Sequence, residues 1–107
     1  MSNNKFNALF VDDLRDQPQD DESHTWTTSR TVWEALTKLS LIEFDVLSLD
    51  HDLDSFLGYK ELTGYDITLW LASRKNEGLY IPPDIRIHSA NPVGRENMQS
   101  VITRYLS

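Results

Sequence analysis

The run Phe44-Asp45-Val46-Leu47-Ser48-Leu49 ends abruptly in Asp50-His51-Asp52, and this junction constrains the fold more than any other stretch of the chain. Val46, Leu47 and Leu49 are β-branched or bulky, with no sustained polar alternation, which is the pattern of a strand buried on both faces of a parallel sheet. Open α/β sheets bind ligands beyond the carboxyl ends of their strands, so Asp50, His51 and Asp52 stand where such an architecture carries its chemistry. Two other stretches repeat the form. Leu9-Phe10-Val11 runs into Asp12-Asp13, and Ile85-Arg86-Ile87 runs into His88-Ser89-Ala90-Asn91. Three strands ending in polar residues therefore converge on one edge of a sheet.

The intervening segments supply the remaining elements. Residues 6–11 form the first strand, and Pro18 keeps the acidic segment that follows out of helix. His24 to Arg30, with Trp26 among threonines, has the composition of a half-exposed edge strand. Val32, Ala35, Leu36 and Leu39 recur at helical spacing over 31–40. Residues 54–62 read as a loop containing Gly58. Thr63-Gly64-Tyr65-Asp66 has the form of a capping box opening a helix that carries Ile67, Trp70 and Leu71, and Gly78 with Pro82-Pro83 ends it. Residues 84–89 form the last strand. Asn91-Pro92 then caps a final helix, which Met98, Val101, Ile102 and Tyr105 predict to run to the C-terminus. Only ten residues separate Asp13 from His24, too few for an ordinary crossover helix, so either that helix is vestigial or the edge strand pairs differently.

At 107 residues, 39% of them hydrophobic, the chain reads as a single domain over 1–107 with a real core. Its 17 acidic and 10 basic residues give a formal net charge of −7. Without clustered Lys and Arg to displace counterions from phosphates, duplex DNA is not an expected partner. The absence of cysteine excludes a disulfide framework, a thiolate nucleophile and a thiolate zinc site. Neither a signal-peptide apolar region nor a membrane-length stretch is present, which leads to the expectation of a cytoplasmic protein with no membrane partner.

The pattern resembles a response-regulator receiver domain, with Asp12-Asp13 as the paired acids after the first strand, Asp50 at the phosphoacceptor position and Ser89-Ala90 after the fourth strand. More closely, the chain resembles the cyclic-phosphate processing receiver-like domains of phage and bacterial genomes. The stretches that carry this are Val11-Asp12-Asp13-Leu14-Arg15-Asp16-Gln17-Pro18, Ser29-Arg30-Thr31, Ser48-Leu49-Asp50-His51-Asp52-Leu53, Thr63-Gly64-Tyr65-Asp66 and Ile87-His88-Ser89-Ala90-Asn91-Pro92-Val93-Gly94. The resemblance implies an α/β three-layer sandwich, a truncated receiver or flavodoxin-like fold with a parallel sheet in the order 2-1-3-4. It departs from an ordinary receiver in lacking the fifth strand and its lysine, which argues against phosphorelay signalling.

The resemblance also implies a phosphoesterase-like enzyme acting on cyclic phosphates, either RNA 2′,3′-cyclic ends or small cyclic nucleotides. Opening a cyclic phosphodiester needs one group to activate water and another to protonate the departing sugar oxygen, and His51 and His88 are candidates for both. Asp50 and Asp52 stand beside them as orienting groups. Each histidine has a bland alternative as a hydrogen-bonded structural residue. Asp12, Asp13 and Asp50 suit a hard divalent cation such as Mg²⁺ or Mn²⁺, and the competing reading pairs them with Arg15 or Arg30. Arg15, Arg30, Ser89, Asn91 and Arg95 are candidate substrate-binding residues, the last three at a helix N-terminus whose free amides favour an anion; capping alone is the alternative there. A non-catalytic, degenerate receiver module binding a nucleotide or a partner protein is the second functional reading. Oligomeric state is not set by the sequence.

Overall fold

The computed structural model describes residues 5–106. Strands β1 (Phe6–Val11), β2 (His24–Ser29), β3 (Val46–Leu49) and β6 (Asp84–Ile87) form one parallel sheet in the order β2-β1-β3-β6. Two short strands, β4 (Ser55–Leu57) and β5 (Lys60–Leu62), intervene in the chain, so this is the expected 2-1-3-4 order counted along the main sheet. The helices are α1 (Val32–Leu41), α2 (Gly64–Asn76) and α3 (Pro92–Val101).

All four residues of β3 are buried, the three apolar ones and Ser48 alike. Leu9, Val11, Leu47 and Leu49 point to one side and pack with Val32, Ala35 and Leu39 of α1, Ile67 and Leu71 of α2, and Met98 of α3 in a single core. All three helices therefore share one face. Of the three layers expected, only one is helical. No second helical layer covers the other face among the described residues: there Phe10 meets the rings of His88 and Trp26, while the polar segment 12–23 runs along the β2 edge, where the Gln17 side chain donates to the Trp26 carbonyl at 3.1 Å and accepts from Thr28 Oγ1 at 2.7 Å. That segment also answers the question of the first connection, because it returns the chain to pair β2 parallel to β1 without a crossover helix.

Local chemistry fixes the element ends. Thr31 Oγ1 accepts from the Glu34 amide at the start of α1. At α2 the capping box forms as expected, with Thr63 Oγ1 accepting from the Tyr65 amide and Asp66 Oδ2 from the Thr63 amide. Gly78 ends that helix at a φ of +77°, which an L side chain adopts only with strain.

Two expectations along the chain change. The 54–62 segment is an antiparallel hairpin rather than a loop, with Gly58 at φ +62° supplying the tight turn. The final helix stops being α-helical at Val101 and continues as a wider π-type turn over Ile102–Leu106, which leaves Tyr105 exposed instead of buried. No helix among the described residues is long and apolar enough to cross a membrane.

Candidate functional site

The carboxyl ends of β1, β3 and β6 bring Asp12, Asp13, Asp50 and His88 together. Strand alternation puts Asp12, Ser48, Asp50 and His88 on the helix-free side of the sheet, in line with Phe10 and Arg86. Asp12 is 1% exposed. Its Oδ1 accepts from the Leu14 and Arg15 amides at 2.9 and 2.8 Å, closing a tight turn after β1. Its Oδ2 faces His88 Nε2 at 3.0 Å. Burial raises the pKa of this carboxyl, but the Arg15 and Leu14 amides and His88 outweigh burial and hold it below the usual carboxylate range.

His88 is held on three sides. A carboxylate only accepts, so Nε2 carries a proton, while Nδ1 shares a 2.7 Å hydrogen bond with Ser48 Oγ. The ring also stacks on Phe10, with centroids 4.4 Å apart and planes inclined by 7°. Ser48 was legible as the one polar residue in an otherwise apolar buried strand, yet its part in the site was not expected. The reason is that only strand register shows it lying beneath His88.

His51 is placed differently. Its ring lies on the helix side, against Gly94 of α3, and its Nδ1 is 2.9 Å from Asp52 Oδ1. The other Asp52 oxygen accepts from Asn91 Nδ2 at 3.4 Å. With Nδ1–H committed to Asp52, Nε2 is left as the accepting nitrogen, and no described residue bonds to it. The two histidines thus share the same edge but stand on opposite sides of the sheet, with Asp50 between them.

Asp50 is half-buried and links the two halves. Its Oδ1 accepts from the His51 amide at 2.8 Å. Burial pushes its pKa above the usual range and the negative charge of Asp12 adds to the rise, partly offset by the His51 amide, His88 and the Ser89 hydroxyl. Asp12, Asp13 and Asp50 each place one carboxylate oxygen within 4.8 Å of the others, so the cluster could hold a metal ion. Three hard oxygen donors, one on buried Asp12 and two on partly exposed Asp13 and Asp50, suit a hard divalent cation that keeps some of its waters.

The arginines act largely on the main chain. Arg15 Nη1 donates to the His88 carbonyl at 3.0 Å, with its Nε 4.0 Å from Asp12 Oδ2, and Arg30 Nη1 donates to the carbonyls of Asp12 and Arg15. Arg30 therefore pins the turn that carries Asp12 and Asp13. Arg95 Nη1 donates to the Ser89 carbonyl at 3.1 Å. Asn91 caps α3 through a 3.0 Å bond from the Gly94 amide, so its capping role is realised. Ser89 is buried and receives the Asn91 amide at 3.1 Å.

A parallel sheet in the order β2-β1-β3-β6, with acids after its first and third strands and a hydroxyl residue after its last, defines a receiver-like domain. The model of the cyclic-phosphate processing receiver domain matches residues 7–104, and the chain belongs to that family. Comparisons with curated proteins and with solved structures find no match.

Proposed function

We propose that the protein is a hydrolase of cyclic phosphates, acting on RNA 2′,3′-cyclic ends or small cyclic nucleotides. The observation that carries this reading is the disposition of His51 and His88 on either side of Asp50. An in-line displacement at phosphorus needs its base and its acid on opposite sides of the reacting atom, and rings held on opposite sides of the sheet edge are compatible with that requirement.

The hydrogen bonds also suggest an order. His51, with Nδ1–H donated to Asp52, offers the Nε2 lone pair to an attacking water. His88 carries a proton at Nε2, and in its imidazolium form it would release that proton from its bond to Asp12 and give it to the departing sugar oxygen while Ser48 retains Nδ1. A new P–O bond forms from water, the endocyclic P–O bond breaks, and the proton count balances across the two rings. Arg15 and Arg95, exposed and bonded to the His88 and Ser89 carbonyls, would be the cations offered to phosphate oxygens. Asp12, Asp13 and Asp50 would hold Mg²⁺ or Mn²⁺, whose contribution when bound is to neutralise charge on the phosphate.

A panel of 2′,3′-cyclic-ended RNAs and cyclic nucleotides, assayed with Mg²⁺, Mn²⁺ or EDTA, tests the proposal. Hydrolysis should fall about 10²–10⁴-fold in His51→Ala. The engagement of both His88 nitrogens favours a second reading, a module that binds a cyclic phosphate without opening it. Tight binding without turnover by the wild type would establish that reading in place of the first.

A further inference from the structure

The helix-free face of the sheet carries an unbroken row of rings. The parallel register of β1 and β2 sets Phe6 beside His24 and Ala8 beside Trp26, and strand alternation turns these side chains and Phe10 to that face. Ring centroids lie 5.5 Å apart for Phe6 and His24, 6.1 Å for His24 and Trp26, 6.2 Å for Trp26 and Phe10, and 4.4 Å for Phe10 and His88. The row starts at the first residue of β1 and ends on an imidazole of the candidate site. Core formation does not explain it, because the apolar cluster lies on the opposite face with the helices. Phe6 is 52% exposed, and His24 and Trp26 are partly so. Trp26 bonds to described residues through its main chain alone, which leaves the indole N–H to an outside acceptor.

At the amino ends of the strands the row opens into a pocket of about 330 Å³. Phe6 and His24 bound it on one side and Asp84 and Arg86 on the other, with buried Val46 of β3 between them. Arg86 Nη2 donates to Asp84 Oδ2 at 2.8 Å, which fixes the guanidinium plane. A fixed guanidinium stacks on a nucleobase much as an aromatic ring does. A flat ring with a polar edge therefore finds here an apolar floor, an aromatic wall and charged groups at its rim.

Asp84 precedes His88 by four residues of extended chain, about 13 Å at roughly 3.3 Å per residue. The base of a nucleotide whose phosphate lies at His88 does not span that distance, whereas the nucleotides joined to it do. An apolar protein surface laid on the row would strand the indole N–H and desolvate the Asp84–Arg86 pair; bases offer acceptors and stacking planes to both. We infer that this face holds the nucleotides preceding a 2′,3′-cyclic end, with their bases stacked along Trp26, His24 and Phe6 and the outermost one in the pocket beside Arg86. The ligand is then a single-stranded RNA end and not a free cyclic nucleotide. This rests on the cyclic-phosphate reading of the site at His88 and selects between the two substrates proposed there.

Oligoadenylates of increasing length from the mononucleotide upward, each ending in a 2′,3′-cyclic phosphate, test this through kcat/KM and through binding followed by tryptophan fluorescence. Each base added along the row should raise affinity and kcat/KM about 5–100-fold, until the row is filled. Arg86 is the one cation bordering the pocket, so affinity should fall only shallowly with salt. Phe6→Ala, Trp26→Ala and Arg86→Ala should each flatten the dependence on length. Should Trp26→Ala fail to fold, Phe6→Ala at an exposed ring still decides the matter. Cyclic mononucleotide hydrolysed as well as the longer chains overturns the inference and leaves the hydrolase reading standing. Length-dependent binding that Phe6→Ala abolishes, without any hydrolysis, upholds the row and sinks the hydrolase reading instead. Binding that ignores length, that survives all three variants, or that is absent for every oligomer overturns the inference.

Discussion

Gly94, in the first turn of α3, lies so close to His51 that a Cβ built there would fall 2.4 Å from the ring Cγ. The helix thus presses the imidazole into place, and Asp52 fixes which nitrogen it presents. Gly94→Ala must displace the ring or the helix. The expected outcome is a folded protein destabilised by about 1–3 kcal/mol, with turnover of a cyclic phosphate reduced more than its binding. Thermal melts and steady-state kinetics on one preparation check both parts; unchanged turnover would separate His51 from the chemistry.

Asp12 and Asp50 should respond to pH in opposite senses. The folded pKa of Asp12 is depressed, so its contribution to stability is present above the ordinary value of 3.8 and is lost as pH falls through the depressed one. The folded pKa of Asp50 is raised, so its contribution is present below 3.8 and is lost as pH rises through the raised one. At neutral pH without divalent cation, Asp50→Asn should therefore raise the melting temperature, whereas Asp12→Ala, which strands two amides and His88, should cost about 3 kcal/mol. Millimolar Mg²⁺ or Mn²⁺ should stabilise the wild type and have little effect on Asp50→Asn. Melting curves in EDTA and in each metal give the comparison.

Ser48→Ala leaves His88 Nδ1 without its 2.7 Å partner beneath the sheet end. The loss should cost about 1 kcal/mol of stability and shift the pH profile of turnover, and Ser48→Thr should restore the profile. Nitrogen NMR of the imidazole reads the tautomer directly. An unaltered His88 spectrum in Ser48→Ala would show that the hydroxyl does not position the ring.

Tyr80 ties the segment before β6 to the core by donating its hydroxyl to the Phe44 carbonyl at 2.8 Å. Burial, with Asp45 and Glu43 nearby, raises its pKa above the ordinary 10.0. Stability from this group is complete below pH 10.0 and is lost as pH rises through the higher folded value. Tyr80→Phe should therefore be less stable than the wild type at pH 8, with the difference shrinking at strongly alkaline pH. Denaturant titrations at both pH values provide the check.

Strand β3, the capping box at Thr63 and the Asn91-Pro92 helix start were all legible in the sequence, because each depends on residue type and spacing within a few positions. The convergence of Asp12, Asp50, His51 and His88 on one edge was legible too, since parallel βα units align the carboxyl ends of their strands. Which side of the sheet each histidine takes was decided only by the tertiary structure. His88 continues the alternation of β6 onto Phe10 and Ser48, while His51 lies beyond the end of β3 and is caught by Gly94, 43 positions along the chain. The 54–62 hairpin escaped a sequence reading because three-residue strands show too little periodicity, so the turn at Gly58 had to supply the register. The one-sided helical layer was hidden for a related reason: composition shows that Phe10 is apolar, but only the tertiary structure shows that the rings of Trp26 and His88 meet it where a second helical layer was expected.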